Sequence, residues 1–334
     1  MRFAGIFASE TVERQFIRDD LRQAMAERGE YVPHQFAAGF PAPAQLGELL
    51  TEADVALTTW DSPRLPLGVL SQRPRRLKYV CNLSGAVRSW IPREYIEDGI
   101  LVTNWGDGPV WYLAEGTLTL ILACTREMSR LPRHMREQPT WTYPYCSPAP
   151  TLRGKIVGLI GLGATGRAML GLLKPFECHM ICYDPYAREL PVRVSRCATL
   201  EELFEQSDVV SVHCGLTEET TGMIGRAQLD RLRPHAIFIN TARGKIVREQ
   251  ELIEFLCSRP DVYAGLDVYE QEPLSKDSAL LSLDNAICYP HSIGSGGDEL
   301  FRSASACAAR NIRAFCAGRP LAALITLERY DRMT

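Results

Sequence analysis

The stretch "KIVGLIGLGATGRAM" (Lys155–Met169) places Gly158, Gly161, Gly163 and Gly166 in an otherwise apolar run. Glycine weakens both strands and helices, so such a cluster needs a reason. The apolar "KIVGLI" predicts a strand and "RAMLGLLKPF" a helix, with Gly161, Gly163 and Gly166 at their junction, spaced G-x-G-x-x-G. In a dinucleotide-binding turn the first of these glycines permits the tight bend. The second lets backbone approach a pyrophosphate, and the third lets the helix pack close to the strand. The helix N-terminus then offers unpaired N–H groups and a positive dipole end to phosphate oxygens. Gly158, inside the strand, points only to close packing. "MICYDPY" adds Asp184 at the end of the next strand, about twenty residues on, where such a fold sets the carboxylate that accepts ribose hydroxyls. A plain strand–turn–helix and a helix cap are the bland alternatives, and the two features together outweigh them. A carboxylate at that position repels a 2′-phosphate, which favours NAD over NADP. The nearby Arg188 leaves NADP use open.

Outward from this junction the sequence alternates strands and helices. "RFAGIFA" reads as a strand, and Val12, Phe16, Ile17, Leu21 and Ala24 share one helical face. "DVALTTW" and "LKYVCNL" read as short buried strands, "IPREYIEDG" as a short helix and "ILVTNW" as a strand. A long apolar helix follows at Val110–Met128, and then a Pro- and aromatic-rich extended arm at Leu131–Leu152. The alternation restarts at Lys155 and runs through "HMICYD", "VVSVHC", "AIFINTA", "VYAGLDV" and "AICYP". A last helix, Asp298 to about Ala317, returns the chain to its first part. This βα order predicts parallel sheets covered by helices. The expected fold is α/β: a Rossmann-type doubly wound parallel-sheet domain (104–296) inserted into a flavodoxin-like α/β substrate domain (1–103 and 297–334).

The composition sets bounds. The chain has 334 residues, 46% of them hydrophobic, which suits two domains with their own cores. A net charge of −3 gives no basic stripe for nucleic acid. No apolar run reaches the roughly 20 residues of a membrane span. The 11 cysteines show no disulfide framework or metal-type spacing. They suggest free thiols in a reducing, cytoplasmic setting. No set of His, Cys and carboxylates suggests a metal.

Three further stretches end strands of the second domain: "NTARGKIV", "AGLDVYEQEP" and "YPHSIG". Ligands bind at the carboxyl ends of such strands, and these bring Arg243, Asp267, Glu272 and His291 together. Hydride transfer to a 2-oxo acid needs a fixed cation on the carboxylate, and Arg serves bidentately. It needs an acid for the emerging alkoxide, which His supplies near neutral pH. A carboxylate beside that His favours imidazolium and holds its orientation. Arg243, His291 and Glu272 are such a set. Taken singly, each reads more readily as a solvated Arg, a surface or hydrogen-bonded core His and an acidic turn.

With "GLGATG", "YDP", "VHCGLTEETTGMI", "NTARG", "LDVYEQEP" and "PHSIG" in this order, the chain resembles the NAD-dependent D-2-hydroxyacid dehydrogenases. That family includes phosphoglycerate dehydrogenases and hydroxypyruvate reductases. The resemblance implies Arg243 on the substrate and His291 as acid/base, paired with Glu272. It also implies Asp267 at the nicotinamide carboxamide with backbone at Thr241 and Ala242, Ala164 and Thr165 amides on the pyrophosphate, and Cys214 beside the adenosine. "NLSGAV" resembles the family's substrate loop, so Ser84, Gly85 and Ala86 would take the substrate carboxylate. A homodimer through the nucleotide domain is implied as well, which suits the Val110 helix. The partner in the reaction would be a small 2-oxo or 2-hydroxy acid. Arg88 and Trp90 depart from the usual loop and put the substrate's identity, not the chemistry, in question. His213 reads as a packed, hydrogen-bonded residue. The competing reading is a dinucleotide-sensing binding protein, since C-terminal-binding corepressors resemble the same fold. A formate-type dehydrogenase is weaker, because that branch has an amide where Glu272 stands.

Overall fold

The computed structural model describes residues 1–35, 43–137 and 151–332. The chain divides into two compact units, Met1–Pro109 with Gly296–Thr334, and Val110–Ser295.

The first unit is a five-stranded parallel sheet in the order β2-β1-β3-β4-β5. Its strands are β1 (Arg2–Phe7), β2 (Glu30–Gln35), β3 (Val55–Thr58), β4 (Tyr79–Asn82) and β5 (Leu101–Thr103). Its helices are α1 (Glu10–Phe16), α2 (Asp19–Ala26), α3 (Pro43–Glu52) and α4 (Arg93–Glu97), joined after residue 295 by α11 (Gly297–Cys316) and α12 (Leu327–Arg332). Alternation along the strands feeds both faces of the sheet. Phe3, Phe7, Val55, Leu57, Tyr79 and Cys81 enter one cluster, with Ala304, Ala308 and Ile312 of α11. Ile6, Ala56, Val80 and Val102 enter the other.

The shared face from Val12 to Ala24 belongs to two helices, not one. Ile17 leaves helical geometry (φ −88°, ψ 86°), Arg18 is extended, and Asp19 opens α2. The apolar face survives the break because Phe16, Ile17, Leu21 and Ala24 all enter the same cluster. Strand β2 has no clear signal in the sequence, because this edge strand carries Pro33 and His34 instead of an apolar run.

The second unit is a seven-stranded parallel sheet in the order β12-β11-β10-β9-β6-β7-β8. Its strands are β6 (Ile156–Ile160), β7 (His179–Tyr183), β8 (Val194–Arg196), β9 (Val209–Val212), β10 (Ile237–Asn240), β11 (Tyr263–Leu266) and β12 (Ala286–Cys288). Around it lie α5 (Val110–Thr125), α6 (Leu131–Glu137), α7 (Ala164–Leu173), α8 (Leu200–Gln206), α9 (Arg226–Leu229) and α10 (Glu249–Ser258). Val157, Leu159, Val209, Ile237 and Ile239 pack on one face and Ile160, Val210, Val212 and Phe238 on the other. Gly158 has the reason anticipated for it: a Cβ there would run into Ser207 Oγ and Leu203.

Leu131–Glu137, expected as the start of an extended arm, is the helix α6. Pro132 at its second position costs nothing, because that amide has no helical partner to lose. Residues 138–150 of the expected arm lie outside the described residues. Helix α5 packs on α7, β10 and β11, burying Ala114, Gly116, Thr117, Leu120, Ile121 and Cys124. Trp111 on its first turn is 53% exposed. Among the described residues no helix is long and apolar enough to cross a membrane.

Candidate active site

In the second sheet the chain leaves β6 toward β7 and later returns on the other side as β9. That reversal opens a crevice at the carboxyl end of β6, the usual seat of a dinucleotide. The glycine loop stands there. Gly161 has φ +91°, and a Cβ on it would come within 2.8 Å of Cys214 N. A Cβ on Gly166 would strike the Gly161 carbonyl, whereas Gly163 faces open space. Gly163 is the N-cap of α7 with no side-chain cap, so the first amides of that helix, those of Ala164 and Thr165 among them, have no acceptor among the described residues. A bend only glycine tolerates, an uncrowded approach and a row of free donors fit a dinucleotide pyrophosphate.

Asp184, just past β7, is partly exposed. Its Oδ2 accepts the Leu162 N–H at 2.7 Å, and its Oδ1 accepts those of Tyr186 and Ala187 at 2.8 and 3.0 Å. The carboxylate therefore braces the glycine loop. Arg188 is exposed. Arg196, which the sequence does not single out, is the arginine that reaches this turn, donating to the carbonyls of Asp184 (2.6 Å) and Ala187. Cys214 lies against Gly161, and burial pushes its thiol up to about 12. His213 bonds Ser211 Oγ through Nε2 at 2.9 Å, and burial drives it down to about 4. It is the packed residue the sequence suggested.

The catalytic candidates follow β10, β11 and β12, three adjacent strands. Asn240 shapes the first turn: its Oδ1 accepts the Ala242 N–H at 3.1 Å and its Nδ2 donates to the Arg243 carbonyl at 3.0 Å. Thr241 shares a 2.8 Å hydroxyl bond with Thr117 of α5. Arg243 donates to the Ala242 carbonyl at 2.6 Å; burial lowers its pKa and the charge of Glu272 opposes that. Gly244 is obligatory, since a Cβ there would overlap the Tyr269 backbone.

Asp267 is 2% exposed and raised by burial, and its Oδ1 accepts the amides of Ser292 and Ile293 at 2.9 and 3.1 Å. Those bonds hold the loop of His291, whose own backbone is left-handed (φ +49°). Tyr269 adds a brace from its hydroxyl to the Tyr289 carbonyl at 2.8 Å. Gly116 lets α5 close on the Ile293 carbonyl. His291 Nδ1 meets Glu272 Oε2 at 2.7 Å, and Glu272 Oε1 accepts the Tyr269 N–H at 3.0 Å. Arg243, Asp267, Glu272 and His291 thus form one electrostatically coupled group. Asn240, Tyr269 and Thr117 hold it in shape; Asn240 and Tyr269 lie within the quoted motifs "NTARG" and "LDVYEQEP", but their residue types do not mark that work in the sequence.

A D-isomer specific 2-hydroxyacid dehydrogenase NAD-binding domain matches residues 118–292. The chain belongs to the D-isomer specific 2-hydroxyacid dehydrogenase family. It is accordingly an NAD-linked oxidoreductase acting between 2-oxo and 2-hydroxy acids. It is 35% identical over 234 residues to a glyoxylate reductase of Korarchaeum cryptofilum, covering 68% of this chain and 69% of that one. A hydroxypyruvate reductase of Thermotoga maritima is 36% identical over 208 residues, covering 62% and 67%. The apo D-mandelate dehydrogenase of Rhodotorula graminis has the same fold, with a TM-score of 0.81 at 23% identity over 97% of both chains.

In the first unit of this dehydrogenase, Ser84, Gly85 and Ala86 follow β4. Asn82 is the organiser: its Nδ2 donates to the carbonyls of Ser84 and Ala86, both at 2.9 Å, and its Oδ1 accepts from Thr58 at 3.1 Å. Asn104 fixes the Gly85 carbonyl at 2.9 Å. With the carbonyls tied down, the amides of residues 84–86 have no acceptor among the described residues. Trp90 donates to the Ala86 carbonyl at 3.0 Å, so it shapes this loop. Arg88 instead turns toward Tyr330, 5.9 Å above its ring.

Proposed function

We propose that this dehydrogenase reduces a 2-oxo acid to the D-2-hydroxy acid with NADH, with His291 as proton donor, Glu272 as its charged support and Arg243 as the cation on the substrate. The observation that carries the reading is the 2.7 Å His291–Glu272 pair, coupled to Arg243 at the ends of adjacent strands. When bound, NADH supplies a hydride to the carbonyl carbon. Arg243 steadies the carboxylate and polarises the carbonyl as the hydride arrives. His291 passes a proton from Nε2 to the developing alkoxide while Nδ1 stays on Glu272. The unpaired amides of Ser84, Gly85 and Ala86 suit a substrate carboxylate.

For the cofactor, the reading gives the pyrophosphate to Gly161, Gly163, Ala164, Thr165 and Gly166 and the ribose hydroxyls to Asp184. It gives the adenosine side to Cys214, and the nicotinamide carboxamide to Asp267 with the backbone of Thr241 and Ala242. A cytoplasmic homodimer is part of the same proposal. The ten described cysteines are all free thiols, which suits a reducing compartment, and exposed Trp111 on α5 suits a subunit contact.

The test is NADH oxidation with a panel of 2-oxo acids, comparing wild type with His291→Ala. Turnover should fall by roughly two to four decades with NADH affinity nearly unchanged. Unimpaired turnover removes His291 from the mechanism. Tight NADH binding with no turnover of any 2-oxo acid would instead favour a dinucleotide sensor.

A further inference from the structure

Three neighbouring strands of the first unit end in one place: β3 runs into Trp60, β4 into residues 84–86 and β5 into Trp105. The chain reverses between β1 and β3 there, so this is the end of the sheet at which ligands gather. The two indoles meet edge to face, their centroids 5.8 Å apart at 74°. Buried Phe16 stands 4.9 Å from Trp60, and Phe301 closes the group 4.9 Å from Phe16. Trp60 is nevertheless 38% exposed. An indole fixed on one side by aromatic contacts and bare on the other presents a rigid apolar surface at little entropic cost.

Trp105 connects that surface to the free amides. A Cβ on Gly85 would come within 2.8 Å of Trp105 Nε1, so the loop lies directly on the indole. Trp105 Nε1–H itself has no acceptor among the described residues. An acid whose carboxylate sits on the amides of 84–86 therefore has its remaining atoms beside two tryptophans.

We propose that Trp60 and Trp105 receive the substrate's side chain, and that the preferred 2-oxo acids carry a large flat apolar group, an aryl ring above all. This rests on the 2-oxo acid reduction proposed above. The charges nearby agree. A phosphorylated substrate needs a second cation, but Arg64 donates to the carbonyls of Arg88 and Ser89 at 3.2 and 3.4 Å, and Arg88 lies over Tyr330. The carboxyl next to Trp60, that of Asp61, would repel a phosphate further. A two-carbon oxo acid would leave both indole faces wet.

The test compares kcat/KM for phenylpyruvate, hydroxypyruvate and glyoxylate with NADH, in wild type, Trp60→Ala and Trp60→Phe. Wild type should favour phenylpyruvate by roughly tenfold or more, Trp60→Ala should erase most of that ratio, and Trp60→Phe should keep it. A wild type that prefers glyoxylate or hydroxypyruvate overturns the proposal, as does a Trp60→Ala variant with an unchanged ratio. Should no 2-oxo acid be reduced, the reaction reading fails, and the aromatic site is judged by phenylacetate quenching of tryptophan fluorescence. Saturable quenching in wild type and in Trp60→Phe, with the affinity weakened several-fold in Trp60→Ala, upholds the site; no quenching in wild type, or an unchanged affinity in Trp60→Ala, overturns it.

Discussion

Glu272 divides its two oxygens between His291 and the backbone: Oε2 lies 2.7 Å from His291 Nδ1, and Oε1 accepts the Tyr269 N–H at 3.0 Å. One bond orients the imidazole and the other orients the carboxylate. A group so held supports a cationic imidazole without moving during reaction. Glu272→Gln keeps the size and the Tyr269 bond but removes the charge. Turnover should fall about 10–100-fold with NADH affinity unchanged. Steady-state kinetics beside an NADH titration checks this. Equal turnover in variant and wild type would reduce Glu272 to a turn residue.

Asp184 makes a prediction with two separable parts. Its three backbone bonds anchor the glycine loop and the turn after β7, while the role proposed for its charge is to discriminate against a 2′-phosphate. Asp184→Ala should lower the thermal midpoint and weaken NADH about tenfold or more, since three amides lose their acceptor. Asp184→Asn keeps one acceptor oxygen, so it should spare more of the midpoint. Both variants should narrow the preference for NADH over NADPH, read by titrating each dinucleotide. A wild type that already prefers NADPH contradicts the assigned role of this carboxylate.

What was legible in the sequence follows a physical division. Buried parallel strands such as Val209–Val212 and Ile237–Asn240 are apolar on both faces, so they announce themselves. The glycine loop did too, because Gly161 and Gly166 have no room for a side chain. Edge strand β2 did not, since a strand exposed along one side tolerates Pro33 and His34. The helix break at Ile17–Arg18 was hidden by an apolar face that continues across it. At the site, the chemistry-bearing side chains Arg243, Glu272 and His291 stood out by type and spacing. Their supports, Asn240 and Tyr269, act through backbone carbonyls and amides, as Asn82 does for the separate loop at residues 84–86, and a backbone contact leaves no pattern in side-chain identity.

His213 ties the stability of the nucleotide-binding unit to pH. Burial holds its imidazole at about 4 in the folded chain, against an ordinary value of 6.5, so the native state keeps it neutral. The unfolded chain takes up that proton as the pH falls below the ordinary value, and the folded chain does not. Stability is therefore fully present above the unfolded value, declines as pH falls toward the folded one, and is level below it. His213 retains some solvent contact, which screens part of the effect. A loss of about 1–2 kcal/mol is expected between about pH 7.5 and pH 5. Urea unfolding of wild type and His213→Gln at both pH values isolates it. Glutamine can still reach Ser211 but does not titrate, so the variant should lose less stability than wild type over this interval. Parallel losses in the two proteins would show that His213 is not the group responsible.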